Sequence, residues 1–111
     1  MTSQIIYLAT PYSHPDPDVR LARYHTVNRV AAKMMRLGDI VYSPISHSHQ
    51  MAIDYGLPTD WGYWARSCTT IVSACAAMVV LRQDGWRESI GVTAEIEVAR
   101  KHCLQIGYLD P

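Results

Sequence analysis

Residues 77–102 read Ala-Met-Val-Val-Leu-Arg-Gln-Asp-Gly-Trp-Arg-Glu-Ser-Ile-Gly-Val-Thr-Ala-Glu-Ile-Glu-Val-Ala-Arg-Lys-His, and they change period once. The first five are a continuous apolar run, the signature of a strand buried on both faces. Gln83-Asp84-Gly85-Trp86 is turn chemistry. From about Ser89 the apolar positions Val92, Ile96, Ala99 and Cys103 recur at i, i+4, i+7 and i+11, one face of a helix running to about His102. Strand, turn, helix is half of a βαβ unit. The rest of the chain supplies more of the same. Ile-Ile-Tyr-Leu-Ala at 5–9 reads as a strand, and Asp16-Pro17 as an N-cap with proline in the first helical turn. Tyr24, Val27, Ala31, Met34 and Met35 follow at helical spacing until Gly38 stops a helix of about 20 residues. Ile40-Val41-Tyr42 is a short strand, residues 43–49 a polar loop, 61–74 a helix opened by Pro58-Thr59-Asp60, and 104–108 a last strand. The expected order is β-α-β-α-β-α-β in one domain over 1–111, a three-layer α/β/α, flavodoxin- or Rossmann-like fold on a parallel sheet of about four to five strands. Ligands of such sheets sit beyond the carboxyl ends of the strands. That directs attention to residues 9–13, 43–49 and 82–95.

Composition removes several classes. Lysine plus arginine (10) balances aspartate plus glutamate (10), so no bulk field favours nucleic acid or an anionic membrane. No apolar run approaches the roughly 20 residues that span a bilayer. The opening Met-Thr-Ser-Gln lacks the charged and apolar regions of a signal peptide. Cys68, Cys75 and Cys103 are odd in number and lack metal-ligand spacing, which argues against a disulfide framework or a zinc site. The expected address is the cytoplasm, with no metal and no organic cofactor. Phenylalanine is absent, and seven tyrosines and three tryptophans carry the aromatic load; their polar tips suit pocket walls as well as cores.

Within the last helix Glu95 lies roughly 60° from the centre of the apolar stripe and Glu97 roughly 140° away. Glu97 therefore faces solvent. Glu95 sits on the shoulder of the core, where a carboxylate can face a cleft. Two readings of it stand: a partly desolvated functional carboxylate, or a surface glutamate favoured near a helix N-terminus by the macrodipole. Ser89 and Gly91 bracket the first turn and read either as an ordinary cap or as a phosphate site built from a serine, a glycine and free N–H groups. His47 and His49 alternate, so only one enters a cleft if the segment is extended. Tyr12 and Trp86 are candidates to stack on a base, with a core plug as the other reading of Trp86. Arg87, rather than Arg82, is the candidate phosphate clamp, against plain surface charge. Trp61 and Trp64, at i and i+3, are expected in the core or a subunit interface.

Several segments carry a resemblance. Ile6-Tyr7-Leu8-Ala9-Thr10-Pro11-Tyr12 resembles the opening strand and loop of the nucleoside 2-deoxyribosyltransferase superfamily. Ser89-x-Gly91-Val92-x-x-Glu95 resembles its nucleotide-hydrolysing branch, the 2'-deoxynucleoside 5'-monophosphate N-glycosidases. Tyr12-Ser13-His14, Ser46-His47-Ser48-His49 and Gly85-Trp86-Arg87-Glu88-Ser89-Ile90-Gly91 are similar to the pattern of the DUF1937 family, over nearly the whole chain. The resemblance implies Glu95 as a nucleophile at the sugar anomeric carbon and Ser89 as a 5'-phosphate ligand. It further implies that Tyr7, Ala9, Pro11 and Tyr12 line the base and sugar pocket, joined by His47, Gly85, Trp86, Arg87 and Gly91. The superfamily's acidic residue before the third strand falls at Cys68, a thiol; Asp60, Asp84 or a histidine is then expected to substitute. Two functions are expected from this reading. One is N-glycosidic bond cleavage or base exchange on a (deoxy)nucleoside 5'-monophosphate or deoxynucleoside; the other is a non-catalytic nucleotide-binding module. A small sheet also suggests a homo-oligomer.

Overall fold

The computed structural model describes residues 4–111; the initial Met-Thr-Ser, read above for a targeting signal, lies outside the described residues. The order is β1 (Ile5–Ala9), α1 (Pro17–Arg36), β2 (Ile40–Tyr42), α2 (Pro44–Tyr55), α3 (Trp61–Ser73), β3 (Ala77–Leu81), α4 (Ile90–Lys101) and β4 (Gln105–Leu109). The four strands form one sheet in the order β2-β1-β3-β4, every pair parallel. The chain leaves β1 for β2 on one side and returns to place β3 on the other. The strand order thus reverses between β1 and β3, where doubly wound sheets open a crevice at their carboxyl ends.

Alternation along β1 sorts the core into two layers. Leu8 faces Val27, Val30, Ala31 and Met34 of α1 and Ile45 of α2. Tyr7 and Ala9 face the opposite layer, with Cys68 and Val72 of α3 and Val92, Ile96 and Ala99 of α4. Helices on both faces of a parallel sheet make the three-layer α/β/α architecture. No helix is long and apolar enough to cross a membrane among the described residues.

Three local expectations are corrected. Residues 43–49 are not a loop: Ser43 caps α2 by accepting the Ser46 N–H at 3.1 Å, and Pro44 occupies the first turn. The cap-plus-proline signature is the one that starts α1, where Asp16 accepts the Asp18 N–H at 2.8 Å. It was masked because the buried face of α2 carries a histidine, His49, which breaks the apolar pattern. Met35 is exposed, because Val27, Val30, Ala31 and Met34 fill the stripe and the next position turns outward by about 100°. Cys103 leaves the core stripe, since α4 ends at Lys101 and Cys103 takes φ 59 in the exposed turn beyond it.

Candidate active site

A cavity of about 680 Å³ opens over the β1/β3 switch point, within the size range of small-molecule sites. Its frame is a buried polar tie. Thr10 donates to the Leu81 carbonyl at 3.0 Å, and Gln83 donates to Thr10 at 2.9 Å and to the Arg23 carbonyl at 3.2 Å. The loops after β1 and β3 are thereby fixed to each other and to α1. Pro11 and Tyr12 come to the cavity from the first loop, Gly85 and Ser89 from the second, and Gly91 from the first turn of α4.

Glu95 lines this cavity and is only 4% exposed. It belongs to the buried face of α4 together with Val92, Ile96 and Ala99, deeper than the shoulder position its spacing suggests. Tyr7, fully buried on β1, donates its hydroxyl proton to Glu95 Oε2. Burial pushes the Glu95 carboxyl up to about 7, with the Tyr7 hydrogen bond pulling the other way. The Tyr7 hydroxyl is itself driven far above its ordinary value, by burial first and then by the Glu95 charge. Cys68 lines the cavity beside this pair; burial pushes its thiol up to about 11, against the lowering effect of the Tyr7 hydroxyl. A buried carboxyl pushed toward neutrality at the wall of a cavity is a group suited to nucleophilic or acid–base chemistry.

Ser89 caps α4 by accepting the Val92 N–H at 3.1 Å. The N–H groups of the first helical turn have no partner within the helix, and Ile90 and Gly91 of that turn line the cavity. Gly91 lies close under the Trp61 ring: a Cβ there would sit 3.1 Å from it, and the indole would have to shift to admit a side chain. Among the described residues the one lysine or arginine lining the cavity is Arg23. Its guanidinium donates to the Ser13 carbonyl at 3.1 Å and the Asp84 carbonyl at 3.0 Å, bridging the two loops. Gly85 faces it at φ +87, where a Cβ would lie 2.8 Å from Arg23 Nη2. Gly85→Ala is therefore expected to cost about 1–3 kcal/mol and to displace Arg23. A urea midpoint equal to wild type would show that neither the backbone angle nor the guanidinium contact matters.

Several proposed contacts lie elsewhere. Arg87 is exposed and off the cavity, its guanidinium stacked 5.2 Å from the Trp86 ring centroid. Trp86 packs against the α3/α4 core layer and Tyr108 instead of the cavity. His47 is exposed beside Tyr42; on a helix it turns away from its neighbour His49, which is buried and lines the cavity. His49 Nδ1 meets the Tyr12 hydroxyl at 2.6 Å, its ring stacks on Tyr24, and Nε2 is buried without a partner. Ala9 is fully buried behind the cavity wall. Asp60 reaches the rim while capping α3, where it accepts the Tyr63 N–H at 3.1 Å.

Several lining residues were not foreseen as such, Ala52 and Thr59 among them. Trp61 and Trp64 pack against the α3/α4 core layer, as expected, and also line the cavity, on the same helix face that carries Cys68 and Val72 inward. Arg23 had a legible signal: it stands one turn before Val27 on the side of α1 that buries Val27, Val30 and Met34, and it is itself partly buried, where an arginine calls for polar partners.

A comparison with curated proteins finds no match. The family model described as domain of unknown function (DUF1937) matches residues 4–107. The match spans nearly all of the chain, fold and cavity included, and the chain belongs to the DUF1937 family.

Proposed function

We propose that the cavity is the active site of an enzyme that cleaves or exchanges the N-glycosidic bond of a (deoxy)nucleoside 5'-monophosphate or deoxynucleoside. The observation that carries this reading is Glu95, a buried carboxyl at the cavity floor held by the Tyr7 hydroxyl and titrating near neutrality. A carboxylate so placed attacks the anomeric carbon as the bond to the base breaks, and water or a second base releases the sugar. The phosphate is placed at the start of α4, on the Ser89 hydroxyl and the Ile90 and Gly91 N–H groups, with Arg23 supplying the positive charge that Arg87 does not. Trp61, Trp64 and Tyr12 form aromatic walls for the base. No metal or organic cofactor enters the scheme, and the cytoplasm is its proposed setting.

The second reading, a nucleotide-binding module without turnover, is favoured by one observation: a thiol, Cys68, stands beside Glu95 where a proton donor is expected. Chromatography of bases released from a panel of nucleosides and 5'-monophosphates separates the two. Release that requires the 5'-phosphate and disappears in Glu95→Ala supports the enzyme. Thermal stabilisation by a nucleotide without release after long incubation supports the module.

A further inference from the structure

The proton inventory of the cavity limits what can leave it. Beside Glu95 stand the Tyr7 hydroxyl, which already donates to that carboxyl, and the Cys68 thiol. Both are held by burial above their ordinary values, so neither is an acid at need. Across the cavity, burial first lowers the pKa of His49, and the charges of His25 and Arg20 add to this. Its Nδ1 meets the Tyr12 hydroxyl, and its Nε2 is closed off from solvent. His14 is exposed, and its Nδ1 accepts the Asp16 N–H at 3.0 Å. Asp60 serves the α3 cap, and Glu88 is exposed. Among the described residues beside Glu95, burial therefore opposes proton release from Tyr7 and Cys68 and disfavours a protonated His49.

The walls also favour positive charge. Among the described residues Asp60, Glu88 and Glu95 line the cavity against one arginine, Arg23, which is tied to the loop carbonyls of Tyr12, Ser13 and Asp84. Two indoles, Trp61 and Trp64, complete the wall, and indole faces attract cations.

We propose that this site takes nucleotides whose base carries a fixed positive charge on the glycosidic ring system, a pyridinium or an N7-alkylated purine. The inference rests on the reading of Glu95 as nucleophile and names the substrate class of that same site. Such a base leaves without a proton. The Glu95 carboxylate forms a bond to the anomeric carbon, the carbon–nitrogen bond breaks, and its electron pair neutralises the ring cation. A water oxygen then attacks the same carbon. The Glu95–carbon bond breaks with its pair returning to the carboxylate, and the surplus proton of water passes to solvent. An ordinary purine would leave as an anion, and the missing donor would cost it the roughly 10²–10⁴-fold that general acid catalysis supplies.

The test compares GMP with 7-methyl-GMP and dGMP with 7-methyl-dGMP, adding nicotinamide mononucleotide as the pyridinium probe. Base release is followed for the full chain, for Glu95→Ala and for Cys68→Asp, with spontaneous hydrolysis subtracted. The expected result is release of 7-methylguanine and nicotinamide that Glu95→Ala abolishes. The methylated-to-unmethylated ratio of kcat/KM should stay within about tenfold of the spontaneous ratio, because nothing in the site compensates for a poor leaving group. Restoring a carboxyl in Cys68→Asp should compress that ratio by about 10²-fold or more. A wild-type ratio already compressed to that degree overturns the proposal while keeping the glycosidase, and makes His49 the first donor to examine. No release from any probe overturns the glycosidase reading and this one with it. If Cys68→Asp fails to fold, as read by its melting curve, the wild-type ratio alone decides.

Discussion

Glu95→Gln is expected to abolish base release and, at pH 8, to melt higher than the wild-type protein. The carboxyl titrates at 4.5 as a free group and at about 7 in the fold, because burial penalises its charge more than the Tyr7 hydrogen bond favours it. Between those values the folded chain holds a proton that the unfolded chain has lost, so stability falls as pH rises through the window. The cost is absent below pH 4.5 and complete above about pH 7, where the gap corresponds to about 3 kcal/mol. Glutamine keeps the shape and never ionises. Its advantage at pH 8 should approach that figure, roughly 10 °C in Tm for a domain of this size, and should vanish near pH 4.5. If Glu95 is the nucleophile, as proposed, its loss should reduce kcat by at least about 10³-fold. Wild-type activity should rise with pH through about 7 as the attacking carboxylate forms. Coincident melting curves at pH 8 would mean that Glu95 is solvated in the native protein. A flat pH–rate profile would mean that its ionisation is not what activity requires.

Tyr7→Phe probes the same charge from the other side. The hydroxyl is buried on β1 and donates to Glu95 Oε2, which favours the ionised carboxyl and lowers its pKa. Phenylalanine fills the same space and removes that donor. The carboxyl should then titrate above about 7, and the acidic limb of the activity profile should move to higher pH. At pH 8 the folded state should lose about 1–3 kcal/mol, the usual result of leaving a buried charged acceptor unpaired. Activity at pH 7 should fall by roughly 10–10²-fold, with part of the loss recovered at pH 9. In Glu95→Gln the same Tyr7→Phe change should cost less, because no charge remains to be stranded; the double-mutant cycle reads that coupling directly. An unshifted profile in Tyr7→Phe would show that Tyr7 only packs.

Together these outcomes describe a site maintained against the stability of the domain. On that reading, a carboxyl removed from water on a helix that otherwise buries Val92, Ile96 and Ala99 should destabilise the fold at neutral pH, the trade expected where an activity needs a group that packing alone would not choose.

What could be read in advance was whatever depends on neighbours along the chain. The apolar run of β3, the 3.6 period of α1 and α4, the caps at Asp16 and Ser89 and the alternation of strands with helices all arise from local backbone chemistry. A right-handed crossover rule then leaves few topologies for four strands and intervening helices. The nearness of Ser89 and Glu95 was legible because one helix carries both. Helix α2 was not, since its inward face bears His49, and a histidine on a core face looks like loop polarity until the structure supplies Tyr12 and Tyr24 as its partners.

The tertiary structure decided the rest, because it concerns groups brought together from distant segments. Tyr7 meets Glu95 across 88 positions, and Arg23 meets Asp84 across 61. No period or motif encodes such distances. Arg87 and Arg23 are both arginines with plausible routes to an anion, and only the direction of each helix and turn tells them apart: one stacks on Trp86 outside, the other faces the cavity. The sequence by itself determined a doubly wound sheet and a carboxylate near a helix start. Only packing determined that the carboxylate is dry, because desolvation is a property of everything that surrounds a group.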